Sequence, residues 1–194
     1  NSKEKIIKVS IKAGYYLPYW RKNIDYKDSV TAKKKLGGGA LLELSHEISY
    51  VLWLFGRPTH VTGLIQKNSE LKMNTEDVVY INLIYKEFIC SIELDVVSKS
   101  YDRYCKIDTD KNSYFWEYKK NSILKKNKKK VKKIYKKKFN LNESYLEEIK
   151  YFLGSKKKFA NITLKNSIDT LSIISSIRKS SVKKSSKIKI KYEK

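Results

Sequence analysis

Residues 37–56 restrict this chain more than any other stretch. Gly37-Gly38-Gly39 opens the block and Gly56 closes it. Between them Leu41, Leu44, Ile48, Val51, Leu52 and Phe55 recur at helical spacing, giving one helix with an apolar face wide enough to be buried. Gly56-Arg57-Pro58 is a stop signal, because glycine accepts a left-handed cap and proline cannot continue a helix. The helix carries Glu43 and His46, three positions apart and so on one face. Beyond Pro58 the apolar period changes from helical to two, so this helix must find a sheet to lie on.

His60 to Gln66, Asp77 to Tyr85 and Phe88 to Val97 alternate as strands, with Lys86-Glu87 as the hairpin turn between the last two. Asp102 to Asp108 is a fourth strand, and Asp110-Lys111-Asn112-Ser113 turns into Tyr114 to Tyr118. Upstream, Ile6 to Lys12 alternates as a strand ending at Gly14. An aromatic loop, Tyr15 to Arg21, and a polar loop, Asn23 to Leu36, follow it. Downstream, Asn142 to Leu153 and Leu164 to Ser180 are amphipathic helices, with Asn140 and Glu143 as a capping pair for the first and Thr163 as N-cap of the second. Lys187 to Tyr192 alternates as a last strand. Neighbouring strands joined by short turns pair antiparallel. The expectation is a single α+β domain: an open, mostly antiparallel sheet with helices packed on one face.

A net charge of +23 raises the question of nucleic acid. Of 43 basic residues only Arg21, Arg57, Arg103 and Arg178 are arginines, and bidentate base and phosphate contacts favour arginine. A solvated lysine surface accounts for the charge, and no specific nucleic-acid partner is expected. The basic, non-enzymatic nucleic-acid-binding or scaffold domain stands as the alternative, centred on the lysine-rich tail and on Lys125 to Lys138. That stretch reads equally as an edge hairpin, since lysines protect exposed sheet edges. No apolar run reaches the roughly 20 residues of a membrane span, so no membrane partner is expected. Two cysteines, Cys90 and Cys105, far apart in sequence, suggest a reduced, cytoplasmic setting. No metal site is expected.

On spacing alone, His46 reads either as a structural histidine or as a site imidazole. The glycine triplet could be a hinge; it lacks the Lys-Ser/Thr sequel of a phosphate loop.

Several blocks nevertheless resemble one family. Gly14-Tyr15-Tyr16-Leu17-Pro18-Tyr19-Trp20-Arg21, Asp25-Tyr26, Gly37-Gly38-Gly39-Ala40-Leu41-Leu42-Glu43-Leu44-Ser45-His46-Glu47-Ile48 and Trp53-Leu54-Phe55-Gly56 are similar to the substrate-side domain of the Gfo/Idh/MocA oxidoreductases. The two later helices fit the same resemblance, which spans essentially the whole chain. It implies a two-domain enzyme in which an N-terminal Rossmann domain binds NAD or NADP. The α+β domain closes the site over a sugar, sugar derivative or polyol. It also implies His46 as general base or acid, Glu43 as the acid beside it, and Tyr16, Trp20, Arg21 and Tyr26 on the substrate side. A homo-oligomer built through the sheet face is expected too. The sequence departs from the family pattern in three ways. Glu43 stands where aspartate is usual, its spacing to His46 is three where four is common, and Ser49 replaces a second aspartate. Neither Gly-x-Gly-x-x-Gly nor Glu-Lys-Pro occurs in the 194 residues, so the nucleotide-binding domain is expected upstream of residue 1, and these residues alone are expected to be inactive.

Overall fold

The computed structural model describes residues 4–138, 140–154 and 164–193. Its centre is a nine-stranded sheet in the order β8-β7-β6-β5-β1-β4-β3-β2-β9. β1 (Ile6–Tyr16) is the middle strand, longer than its alternation suggested because it runs on through Gly14. β2 (His60–Gln66), β3 (Val78–Ile84), β4 (Ile89–Asp95), β5 (Val97–Thr109) and β6 (Ser113–Glu117) follow. All described pairs are antiparallel except β1 with β4, which run parallel with Val9 opposite Cys90 and Ile11 opposite Ile92.

The sheet has one covered and one open face. Val9, Ile11 and Ala13 of β1, Val79, Ile81 and Leu83 of β3, and Cys90, Ile92 and Leu94 of β4 point into the core at the period-two spacing of a strand. Against them pack α3 (His46–Phe55), through Ile48, Val51 and Leu52, and α5 (Leu164–Val182), through Ile173, Ile174 and Ile177. α5 comes close enough to β2 that the Gly63 N–H donates to the Ser180 hydroxyl at 2.9 Å. On the opposite face Leu64, Tyr80 and Ile89 are exposed.

The block predicted as one helix is two. α2 (Ala40–Glu43) ends at Leu44, and α3 starts at His46. Ser45, Glu47 and Ile48 donate backwards to the carbonyls three residues earlier, a tighter turn than the α-helix that bends the chain here. Glu43 and His46 therefore sit on separate helices. The aromatic loop also contains a short helix, α1 (Leu17–Trp20), with Pro18 in its first turn, where its missing N–H costs nothing.

The lysine-rich stretch is an edge hairpin, β7 (Ser122–Lys126) and β8 (Val131–Lys136), with β8 at the border of the sheet and every one of its residues exposed. α4 (Leu141–Gly154) forms as predicted, and Asn140 Oδ1 accepts from the Asn142 amide at 3.0 Å. Its apolar stripe nevertheless stays in solvent, with Leu146, Ile149, Phe152 and Leu153 all exposed. The predicted N-cap Thr163 lies outside the described residues. The last strand is short, β9 (Ile188–Lys189), although Ile190 still donates to the Thr59 carbonyl at 3.1 Å. Among the described residues no helix is long and apolar enough to cross a membrane.

Candidate active site

The glycine triplet places the site by close packing. Gly38 lies against the Val30 and Thr31 carbonyls, where a Cβ would clash with the backbone, and the Gly39 N–H donates to Thr31 O at 2.9 Å. Gly39 adopts φ of 108°, a conformation that favours glycine, and its Cβ position is filled by the Glu76 carboxylate. Glu76 Oε1 in turn accepts from the Leu41 amide at 3.2 Å, so the start of α2 already holds an anion of the chain itself. The triplet is a clamp between α2, the 30–31 loop and Glu76, and it leaves no cradle for a phosphate.

That clamp aims Glu43 at the loop. Glu43 Oε2 accepts from the Thr31 hydroxyl at 3.1 Å. Both residues line a small cleft together with Leu17, Trp20, Arg21 and Tyr26. Of the residues predicted from sequence, the fold thus converges Glu43, Trp20, Arg21 and Tyr26. Trp20 is held between rings, 4.3 Å from Tyr15 and stacked on Tyr101 at 5.7 Å between centroids. Tyr26 is anchored at its far end, where its hydroxyl accepts from the Lys72 amide at 3.1 Å. Arg21 is exposed at the rim. Tyr16 is not in the cleft: its ring packs on Tyr19 at 4.8 Å and lies under the Lys99 ammonium.

His46 is half-exposed at the first position of α3, its Nε2 3.1 Å from Oε1 of Glu47. No ion pair or hydrogen bond joins it to Glu43. Glu47 is fully buried and lies 2.7 Å from the Arg103 Nε of β5. The Arg103 guanidinium stacks over Tyr118 at 4.8 Å. Burial, with the Glu47 charge beside it, pushes the Tyr50 phenol well above its ordinary range, and the Cys105 thiol up to about 12 for the same two reasons. Tyr15 is shifted the same way by burial and by Glu43, and its hydroxyl finds no well-aligned hydrogen-bond partner.

Sequence reasoning missed Tyr15, Thr31, Glu47, Tyr101 and Arg103. Glu47 did carry a signal, since 44, 47, 48 and 51 form an i, i+3, i+4, i+7 stripe in which it is the one charge. Arg103 likewise alternates with Tyr101, Cys105 and Ile107 on the inward side of its strand. Among the described residues no cluster of three or more His, Cys, Asp or Glu could hold a metal ion.

An open, mostly antiparallel sheet covered on one face by helices defines an α+β domain, with Glu43, Trp20, Arg21 and Tyr26 drawn into one cleft. Over residues 5–115 the chain matches the GFO/IDH/MocA C-terminal domain, and it belongs to that family. Solved structures with the same fold include an NAD binding oxidoreductase from Klebsiella pneumoniae (TM-score 0.78, 12% identity, covering 97% of this chain and 60% of that one). Levoglucosan dehydrogenase in complex with NADH aligns with TM-score 0.75 at 14% identity, over 97% of this chain and 59% of that one. The WlbA dehydrogenase from Bordetella pertussis, in complex with NADH and UDP-GlcNAcA, aligns with TM-score 0.69 at 15% identity, over 97% and 56%. The chain thus spans under two thirds of the length of these structures. No curated protein matches it.

Proposed function

We propose that the chain is the substrate-side part of an NAD(P)-dependent oxidoreductase that oxidises a hydroxyl of a sugar, sugar derivative or polyol, or runs the reverse reduction. The observation that carries this reading is the family match together with the cleft in which Trp20, Arg21, Tyr26 and Glu43 converge. The solved relatives bound to NADH, to UDP-GlcNAcA or, for levoglucosan dehydrogenase, to L-sorbose support the cofactor and the substrate class.

The glycine triplet offers the dinucleotide no seat, because Glu76 fills it. We assign cofactor binding to a nucleotide-binding domain working with these residues, which alone should not turn over. Nicotinamide, when bound, supplies the hydride acceptor. The chain's own contribution is proton handling and positioning. His46 is exposed enough to meet a hydroxyl, and a ring nitrogen can accept a proton, so it takes the hydroxyl proton as the C–H bond breaks. Trp20 presents a ring for a sugar face, and Arg21 at the rim can bind a carboxylate or phosphate in a forked contact. Glu43, fixed by Thr31, makes its contact with the substrate rather than with His46. Tyr16 serves by supporting Tyr19 and the turn into α1.

The test is steady-state kinetics of the full-length protein. His46→Asn should lower kcat by about 100-fold or more with KM little changed, in line with the worth of general base catalysis. A variant within a few-fold of wild type refutes the assignment. We also propose that copies associate through the open sheet face around Leu64, Tyr80 and Ile89. Tyr80→Glu should then yield a smaller species in sedimentation, and an unchanged mass excludes that face.

A further inference from the structure

Glu47 is the largest electrostatic liability in the helix layer. It is 0% exposed, in a stripe otherwise made of Leu44, Ile48 and Val51. A buried carboxylate is tolerated when paired, and here two cations or would-be cations reach one oxygen: Arg103 Nε at 2.7 Å and His46 Nε2 at 3.1 Å from Oε1. Yet neither Glu47 oxygen, nor Arg103 Nε, nor the nearby Tyr50 hydroxyl has a well-aligned hydrogen bond. Buried polar atoms left in that state are uncommon and call for an explanation. Packing does not supply one, since an apolar residue of similar volume would fill the stripe at lower cost.

The surroundings point to His46. Of the ionisable groups facing the pair, Tyr50 on α3 and Tyr101 and Cys105 on β5 are all pushed towards their neutral forms by burial. Glu43 on α2 is turned to Thr31, and Tyr118, just past β6, offers its ring to Arg103. The charges acting on the imidazole from this side are therefore Glu47 and, behind it, Arg103. We propose that Glu47 is the positioning residue of His46: a buried carboxylate, backed by Arg103, that holds Nε2 and leaves Nδ1 for the substrate hydroxyl. Arg103 steadies the carboxylate and is steadied in turn by Tyr118. This deepens the acid–base reading of His46 and rests on it.

The experiment follows the His46 imidazole in the full-length protein by NMR titration, assigned through the signal lost in His46→Asn, alongside the pH profile of kcat/KM. Glu47→Gln removes the anion and keeps Arg103, so the His46 signal should titrate at lower pH than in the wild type. The acidic limb of the profile should fall with it, while Glu47→Asp should restore most of the shift. Because Glu47→Gln strands a buried cation, the double variant Glu47→Gln/Arg103→Met provides a second route. It should fold and show an intermediate fall. A His46 titration unmoved in the folded variants overturns the inference. A titration that shifts as stated, with His46→Asn still active, instead overturns the acid–base reading and with it any catalytic purpose for the contact.

Discussion

Replacing Gly38 by alanine is the sharpest test of the clamp that sets the site, because Gly37 beside it is a built-in control. A Cβ on Gly38 would collide with the Val30 carbonyl and come within 2.6 Å of the Thr31 oxygen, both backbone atoms that cannot rotate away. Relief requires the 30–31 loop to move, which strains the packing by about 1–3 kcal/mol. Moving it also weakens the Gly39 N–H to Thr31 O bond of 2.9 Å, worth about 1 kcal/mol. Gly37 adopts φ of 78° but has nothing within 4 Å of its Cβ position, so Gly37→Ala meets only left-handed backbone strain, about 1 kcal/mol. Gly38→Ala should therefore be about 1–3 kcal/mol more destabilising than Gly37→Ala, read as the urea midpoint by tryptophan fluorescence. It should also lower kcat/KM in the full-length protein, since Thr31 carries Glu43, while Gly37→Ala leaves kcat/KM close to wild type. Equal midpoints for the two variants would show that the triplet is a hinge and refute the clamp.

Other consequences follow from single contacts. Arg57 grips Asp169 of α5 with two hydrogen bonds of 2.6 and 2.7 Å and lies over Tyr192 at 4.5 Å, tying the end of α3 to the last helix and the C-terminal segment. Arg57→Ala should cost about 2 kcal/mol, between the values for exposed and buried pairs, and thermal unfolding reads it. Burial alone would raise the Asp77 carboxyl, but hydrogen bonds from Ser69 and the Asn68 and Ser69 amides, with Lys67 beside it, hold it below its ordinary value. A depressed folded value contributes stability above the unfolded carboxyl's pKa of about 3.9, lost as pH falls through the folded one. The stability gap between wild type and Asp77→Asn should therefore be constant above about pH 5 and shrink under acid. Cys90 and Cys105 are buried and free, with both thiols pushed up by burial, so a thiol reagent at pH 8 should label neither until the protein is unfolded. Rapid labelling of the native protein would contradict the packing of β1 between β4 and β5.

The division between what was legible and what was not runs along the range of the interactions. Local pattern sufficed for β2, whose alternation predicts its bounds, for the stop at Gly56, and for α4 with its Asn140 cap, because propensity, period and capping act within a few residues. The same local signals overextended the last strand and joined α2 to α3. A helical period continues through Leu44 and Ser45, but only the anchoring of α2 on Glu76 and Thr31 and of α3 in the core shows two separate helices.

For the site, sequence located Glu43, His46, Trp20, Arg21 and Tyr26 as residue types with the right chemistry, and the resemblance attached roles to them. It could not place them, because the cleft joins α1, the 24–31 loop and α2 through contacts that no periodicity records. The parallel pairing of β1 with β4, some 80 residues apart, and the neighbouring antiparallel pairing with β5 bring Arg103 beneath α3. The sequence by itself therefore determined the class of fold and which side chains are candidates for the site. Tertiary structure decided which group faces which, turning Glu43 to Thr31 and His46 to Glu47, because burial and charge pairing act across the sheet and not along the chain.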